Sequence, residues 1–138
     1  GNDALIDGIL GTEDFRTGTW QGYSDIDVHA VVDLGKKKQI NNVKISFLRD
    51  QRSWIFLPRN LEILTSLDGV KYENYNNRRF DTPTDTEEIK IETIDFSKST
   101  KARYIKVMAK NYGDVPKWHI GAPFDGKAWI FVDEIQIK

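Results

Sequence analysis

Residues 61–72 of the chain read LEILTSLDGVKY, a short patterned run that ends in a turn signal. Leu61, Ile63 and Thr65 lie two residues apart, so their side chains fall on one side of an extended segment. A period of two is typical of a strand that packs on a core from one side. Asp68-Gly69 then supplies a tight turn, because glycine adopts a positive φ without steric cost. The run therefore predicts one strand of an antiparallel hairpin.

The same period recurs along the chain, in Val43, Ile45, Phe47; Ile89, Ile91; Ile105, Val107, Ala109; and Ile135, Ile137. After Ile91 the apolar phase slips to Ile94 and Phe96, which predicts a bulge or a bend between sheets. Many short strands separated by turn residues favour an all-β fold, an antiparallel β-sandwich of jelly-roll topology. We expect one domain over residues 1–138. The predicted core comprises Val43, Ile45, Phe47, Leu61, Ile63, Ile105, Val107 and Ile135.

Charge and composition exclude several classes of function. Twenty basic residues face 21 acidic ones, a net charge of -1, which provides no long-range attraction to nucleic acid or an anionic membrane. The chain has no cysteine, so disulfides and thiolate metal sites are excluded. No apolar run approaches the roughly 18 residues of a membrane span. We expect a monomer that binds no nucleic acid and does not insert into membranes.

Three stretches are too irregular for strands and are rich in Trp, Arg, Asp and Gly: residues 11–24, 49–59 and 110–127. In a β-sandwich, loops from alternate strands gather at one end, where binding sites usually lie. These stretches are therefore the candidates for function.

Seven segments, in order along the chain, resemble the discoidin (coagulation factor 5/8 type C) domain family. They are Leu5-Ile6-Asp7-Gly8, Trp20-Gln21-Gly22, Val31-Val32-Asp33-Leu34-Gly35, Asn42-Val43-Lys44-Ile45, residues 64–72, Ala102-Arg103-Tyr104-Ile105-Lys106-Val107 and Asp133-Glu134-Ile135-Gln136-Ile137. Residues 53–58 and 128–134 further resemble the discoidin modules that follow β-N-acetylhexosaminidase (chitobiase-type) catalytic domains in gut bacteria. The resemblance implies a jelly-roll sandwich, sugar binding by loops at one end, and in many members one structural calcium.

Sugar binding requires an aromatic face to stack on a pyranose and planar polar groups for its hydroxyls. Two of the irregular stretches provide this mixture. The candidate sugar contacts are Arg49, Asp50, Arg52, Trp54 and Phe56 in the first, and Asn111, Tyr112, Trp118 and His119 in the second. Trp118, in a Gly/Pro-rich loop, is expected at the surface. Trp129 is expected to be packed, as is usual for tryptophan within a strand; for Trp54 both roles stay open.

Calcium prefers several hard oxygen ligands in a tight loop. The first irregular stretch and its flank offer Asp7, Asp14 and Thr17, and the resemblance places Glu134 of the last strand beside them. One departure weakens the match: many relatives have an acidic residue two positions after the aspartate that corresponds to Asp7, and here that position is Ile9.

No catalytic arrangement stands out in the sequence. Asp133 and Glu134 match an adjacent Asp-Glu pair that hexosaminidases use in catalysis, but neighbours on a strand point to opposite faces. His29 and His119 are far apart and have no partner at metal-ligand spacing. We therefore expect that this domain is not an enzyme.

The resemblance implies a non-catalytic carbohydrate-binding module of a secreted bacterial glycosidase of the β-N-acetylhexosaminidase type, with terminal N-acetylglucosamine, N-acetylgalactosamine or galactose as its ligands. We expect it to be a C-terminal piece of that enzyme, located outside the cell, in the periplasm or on the outer surface. A second hypothesis is a structural module that packs its aromatic loops against its own catalytic domain and binds no glycan. Adhesion to protein or phospholipid is a third, disfavoured because the loops lack a cluster of aliphatic residues with basic flanks.

Overall fold

The computed structural model describes residues 21–138, apart from the side chain of Glu134. The strands are β1 (Gln21–Ser24), β2 (Val28–Arg49), β3 (Asn60–Ser66), β4 (Glu73–Arg79), β5 (Lys90–Ala109) and β6 (Trp129–Ile137). Two single 3₁₀ turns, Gln51–Ser53 and Ala122–Phe124, interrupt the loops. Within this part of the chain no helix has the length and apolarity that crossing a bilayer would require.

The strands form one antiparallel sheet in the order β1-β6-β2-β5-β3-β4. β2 and β5 pair along their whole lengths, from Val28 opposite Ala109 to Arg49 opposite Lys90. Two register shifts, between Asp33 and Lys38 and between Ile40 and Asn42, divide this ribbon near its middle. The second half of β2 pairs with β6, and the second half of β5 pairs with β3. The sheet curls at the register shifts, so that each long strand runs from one half of the curled sheet into the other.

The two halves of the curled sheet enclose one core. Val43, Ile45 and Phe47 come from one half and Ile63 and Val107 from the other, and all of them are buried in the same cluster. The remaining predicted core residues, Leu61, Ile105 and Ile135, belong to it as well. Full burial of such side chains contributes roughly 1.5–3 kcal/mol each, and this stabilises the curled arrangement. The predicted antiparallel β-sandwich is confirmed.

The prediction of a bulge between Ile91 and Ile94 was wrong. Pairing of β5 with β2 is continuous from Ser97 to Lys90. Ile94 faces the main core, whereas Ile91 packs on a second apolar cluster formed by Leu48 and Ile55. The phase of the apolar residues changes because this part of the sheet is covered on both faces, and the strand itself stays regular.

The curl places four connections at one end of the molecule. Val28 lies opposite Ala109 and Arg49 opposite Lys90, so the ends of β2 and β5 meet in two pairs. The N–H of Arg59, in the connection that follows β2, donates to the carbonyl oxygen of Lys110 just after β5, which brings the two pairs to one end of the molecule. β3 begins and β4 ends beside Ala109, and β1 ends beside the start of β6. Residues 25–27, 50–59, 80–89 and 110–128 therefore form one surface, which we call the loop end.

Candidate functional site

Gln51 joins three of the four connections at the loop end. Its side chain is buried and its Nε2 donates to the carbonyl oxygens of Thr84 (2.7 Å) and Thr86 (3.4 Å) in the 80–89 connection. Its own backbone oxygen accepts a hydrogen bond from the ring of His119, at 2.5 Å, in the 110–128 connection. A single residue therefore fixes three loops relative to one another.

The hydrogen bonds of His119 define its tautomer. The backbone N–H of Gly121 donates to Nδ1 at 2.9 Å, so this nitrogen is unprotonated. Nε2 must then carry the proton that it donates to the Gln51 oxygen. The ring is 5 % exposed and both nitrogens are used, so His119 holds the loop together and has no group free for a ligand.

Asn111 ties the last long loop to the connection between β1 and β2. Its Nδ2 donates to the carbonyl oxygens of Tyr23 (3.2 Å) and Ile26 (3.1 Å), and its Oδ1 accepts from the N–H of Gly113. Its own N–H donates to the carboxylate of Asp27 at 2.8 Å. With these partners and 5 % exposure, Asn111 also supports the loop rather than presenting a polar group to solvent.

The indole of Trp54 packs against two glycines, Gly121 and Gly126. It lies in the left-handed region, with φ 63°, and its backbone N–H donates to the Gln51 oxygen. A Cβ atom on Gly121 would lie 2.2 Å from the indole nitrogen, and one on Gly126 would lie 2.8 Å from it. The indole therefore rests directly on the backbone of the 110–128 connection, a contact that only glycine permits.

Aromatic rings form a small cluster around Phe56. Its ring is stacked on Tyr112 (centroids 5.4 Å apart, interplanar angle 16°) and lies 6.3 Å from Trp118 and 5.6 Å from His119. Phe56 is 1 % exposed, so it supports its neighbours and has no face for a sugar. Trp118 is 38 % exposed, as its Gly/Pro-rich loop predicted. It is the aromatic face that this cluster offers to solvent.

A groove of about 800 Å³ runs beside this cluster. Its walls come from the end of β2, the 50–59 connection, the start of β3, β4 with the 80–89 connection, the start of β5 and the start of the 110–128 connection. The lining residues are Arg49, Gln51, Leu57, Pro58, Arg59, Asn60, Arg78, Arg79, Phe80, Asp81, Thr82, Pro83, Thr84, Lys90, Glu92, Lys110 and Tyr112. Tyr112 contacts Phe56 on the cluster side and Arg59 on the groove side, so the groove and the cluster share a wall.

The remaining predicted sugar contacts lie around this groove. Asp50 is buried, and its carboxylate accepts a hydrogen bond from the Ser53 hydroxyl at 3.1 Å. Arg52 is exposed and lies 3.4 Å from Glu87. Arg49 donates to the Glu88 backbone oxygen, while its Nε is buried without an acceptor in the described part of the chain. Of the nine predicted contacts, Arg49 and Tyr112 line the groove, and Trp118 faces solvent on the other side of Phe56 in the aromatic cluster.

Sequence reasoning misplaced one tryptophan and missed several residues. Trp129 was expected to be packed but is 39 % exposed, because β6 begins there and its ring lies on the outer face with Phe131. Ile120 and Phe124, 70 % and 83 % exposed, form an apolar surface in the 110–128 connection that was not foreseen. Gln51 was missed although it lies in the 49–59 stretch, because its role depends on contacts with the distant 80–89 connection. Arg79 was missed because it lies outside the three irregular stretches.

The predicted calcium ligands cannot be compared with the structure. Asp7, Asp14 and Thr17 lie outside the described residues, and Glu134 lies in β6 without a described side chain. Among residues 21–138 no group of three or more His, Asp or Glu side chains has the arrangement of a metal site. The calcium site stays a prediction.

Comparisons with known proteins connect this geometry to a family. The model of the F5/8 type C domain matches residues 1–133. No curated protein sequence matches the chain. Among solved structures, the chain is similar to CBM32-1 from a family 31 glycoside hydrolase of Clostridium perfringens, with a TM-score of 0.59, 23 % identity, and coverage of 99 % of this chain and 83 % of that chain.

Two further solved structures are similar. The C-terminal domain of a chitobiase from Bacteroides fragilis has a TM-score of 0.52 and 19 % identity over 100 % of this chain and 79 % of that chain. CpGH89CBM32-5 from Clostridium perfringens, in complex with GalNAc-β-1,3-galactose, has a TM-score of 0.46 and 16 % identity over 87 % and 95 % of the two chains. At these identities, the two structures with the higher scores show that the fold is shared.

Proposed function

Because the chain belongs to the F5/8 type C domain family, as its sequence motifs predicted, we propose that it is a non-catalytic carbohydrate-binding module of a secreted bacterial glycoside hydrolase. The parent enzyme in this proposal is a β-N-acetylhexosaminidase of the chitobiase type. Its targets are terminal N-acetylglucosamine, N-acetylgalactosamine or galactose. The shared fold with CBM32-1 of a glycoside hydrolase and with the C-terminal domain of a chitobiase supports this proposal.

The observation that carries the proposal is the position of Trp118 at the loop end. Its indole is 38 % exposed and lies near the buried rings of Phe56 and His119, and Phe56 in turn stacks on Tyr112, a residue of the groove wall. A rigid aromatic face next to planar donors is the arrangement on which a pyranose stacks and satisfies its hydroxyls. Because Gln51 and His119 fix the loops, little conformational entropy is lost on binding.

A site of this kind binds one or two sugar units, so its affinity for a single sugar is low. Linking the module to a catalytic domain raises the effective concentration of substrate at the enzyme, up to the millimolar range for short linkers. The proposed role is therefore to hold the enzyme near its glycan, without any chemistry by the module itself.

Protein-observed NMR with the three candidate sugars at millimolar concentration tests the proposal. We expect saturable shifts at Trp118, its loop neighbours and Tyr112. Trp118→Ala should abolish them, because a stacked aromatic contributes about 1–3 kcal/mol. Trp129→Ala is the matched control, since Trp129 is 39 % exposed but lies on the outer face with Phe131. Equal loss of binding in both variants would contradict the assigned site.

The apolar surface of Ile120 and Phe124 supports a second candidate function. Two side chains that are 70 % and 83 % exposed in one loop are suited to an interface. In this alternative the loop end packs against the catalytic domain of the same protein and binds no glycan. An NMR titration without shifts for any of the three sugars would favour it, and loss of domain association in Phe124→Ser would then support it.

A further inference from the structure

The groove at the loop end carries far more positive charge than the rest of the protein. Its lining contains six basic side chains, those of Arg49, Arg59, Arg78, Arg79, Lys90 and Lys110, against the two acidic ones of Asp81 and Glu92. The whole chain, in contrast, has 20 basic and 21 acidic residues. A concave, partly desolvated surface with one sign of charge concentrates the electric field and attracts counter-ions.

Three of these six cations form ion pairs with two neighbouring carboxylates. Glu92 lies 3.3 Å from Arg78 and 3.2 Å from Lys90, and Glu88 lies 3.9 Å from Arg49. For Arg59, Arg79 and Lys110, no carboxylate in the described part of the chain forms an ion pair. The positive charge that is left without a partner therefore belongs to these last three residues.

The backbone brings the three unpaired cations together. The N–H of Arg59 donates to the carbonyl oxygen of Lys110 at 2.9 Å, and the N–H of Lys110 donates to Asn60 at 3.0 Å. Phe80, the residue after Arg79, donates to the carbonyl oxygen of Arg59 at 3.0 Å. The three cations thus come from three hydrogen-bonded chain segments whose backbones lie about 5 Å apart. All three residues line the groove, so their charges add to one positive surface.

Arg59 is held in place before any ligand arrives. Its Nε donates to the Tyr112 backbone oxygen at 2.8 Å, and its guanidinium carbon lies 4.2 Å from the centre of the Tyr112 ring. This contact leaves the terminal nitrogens as donors in a fixed plane, the geometry that matches a carboxylate or a sulfate. Because Tyr112 is engaged by Arg59 and by Phe56, this wall of the groove offers a cation rather than a stacking face.

We propose that the groove binds the anionic group of an acidic saccharide, a carboxylate or a sulfate ester, on Arg59, Arg79 and Lys110. The inference rests on the proposed carbohydrate-binding function and specifies its ligand class: a glycan in which a neutral sugar stacks on Trp118 and an acidic sugar occupies the adjacent groove. The groove volume of about 800 Å³ accommodates a few sugar units, and Asn60, Thr82 and Thr84 supply polar groups for their hydroxyls.

Sugars that differ only in charge provide the test. Galactose, galacturonic acid and galactose 6-sulfate are titrated separately into the ¹⁵N-labelled protein, with inorganic sulfate as a fourth probe. We expect the two acidic sugars to bind about 10-fold more tightly than galactose, as charge-assisted hydrogen bonds to the cations allow. The preference should shrink as the salt concentration rises, because these groups are near solvent. The better of the two acidic sugars identifies the preferred anionic group.

A pair of charge-matched double variants locates the effect. Arg79→Gln/Lys110→Gln removes two of the unpaired cations and should abolish the preference for galacturonic acid over galactose. Lys37→Gln/Lys101→Gln removes the same charge at the opposite end, where both side chains are exposed, and should preserve that preference. The readout is the ratio of the two affinities, which a general loss of stability would not change selectively.

Three results would overturn the inference. Equal affinities for galactose and galacturonic acid, with galactose shifts at Trp118, would leave the proposed function intact and remove only the acidic ligand class. An equal fall of the preference in both double variants would reduce it to a property of overall charge. Inorganic sulfate bound as tightly as galactose 6-sulfate would define an anion site without sugar recognition. Absence of binding by every sugar would instead reject the proposed function itself.

Discussion

Gln51 joins three connections of the loop end through its side chain and its backbone oxygen. Its side chain holds the 80–89 connection and its backbone oxygen holds His119, so the groove and the aromatic cluster depend on the same residue. Glutamine suits this position because its amide supplies two donors without carrying a charge into a buried place. A neutral buried residue therefore holds the connections of the loop end together.

Replacing Gln51 with Met tests this role at the level of one side chain. Methionine keeps the length and volume but cannot donate to Thr84 and Thr86, which leaves their carbonyl oxygens unpaired in a part-buried place. We expect the free energy of unfolding to fall by about 1–3 kcal/mol. Urea unfolding measures it. Gln39→Met, at an exposed position of β2, is the control, and an equal loss in both variants would contradict the proposed role.

The carboxylate of Asp68 holds the turn between β3 and β4 together by accepting three hydrogen bonds. Asp68 Oδ1 accepts hydrogen bonds from the N–H groups of Val70 (2.8 Å) and Lys71 (2.9 Å) and from the Ser66 hydroxyl (3.0 Å). These donors, the Val70 N–H first among them, lower the pKa of Asp68 below its usual value of 3.8. Gly69 follows with φ +79°, as the Asp-Gly signal predicted.

The pH dependence of stability follows from the sign of this shift. Because the carboxyl of Asp68 has a lower pKa in the folded state, the unfolded chain binds its proton more readily. The stabilisation is complete above the unfolded pKa and is lost as the pH falls through the folded one. We expect Asp68→Asn to reduce stability by a constant amount above about pH 5 and by less below about pH 4. Urea unfolding between pH 2 and 7 checks this, and a pH-independent difference would be inconsistent with it.

The strands were the most predictable elements, for a simple reason. Alternate side chains of a strand lie on the same face, so apolar residues two apart indicate both a strand and the face that is buried. Val43, Ile45 and Phe47 follow this pattern and lie in the core. Local sequence does not indicate which strands pair with one another. The continuity of β2 over 22 residues and its shared use by both halves depend on contacts with β5 and β6, distant in the chain.

At the scale of the whole molecule, the site was predictable only in part. Three irregular stretches were expected to meet at one end, and the structure places residues 50–59 and 110–127, from two of them, there. Within them, aromatic type alone did not separate Trp118, which faces solvent, from Phe56, which is buried. The groove could not be foreseen because its unpaired cations, Arg59, Arg79 and Lys110, come from three strand ends that only the sheet topology makes adjacent.

The predicted calcium is likewise a property of the whole fold, since the resemblance draws its ligands from both ends of the chain. If Asp7, Asp14, Thr17 and Glu134 bind calcium tightly, the ion stabilises the folded state by an amount that grows with the logarithm of the ratio of free calcium to the Kd. We expect the Tm to fall when EDTA is added and to recover when excess calcium is restored. Magnesium chloride at equal ionic strength is the control. An unchanged Tm would rule out a tightly bound structural calcium.

The central place of β2 in the sheet also determines when this domain acquires its structure during synthesis. Both neighbours of β2, β5 and β6, are made after it, and Val28 finds its partner only once Ala109 has left the ribosome. Until then a long strand with two open edges has nothing to pair with. Loop closure over such distances is slow, so folding should take milliseconds to seconds and follow release of nearly the whole domain. For an exported protein this delay is useful, because a chain that stays unfolded remains competent for passage through a translocation channel.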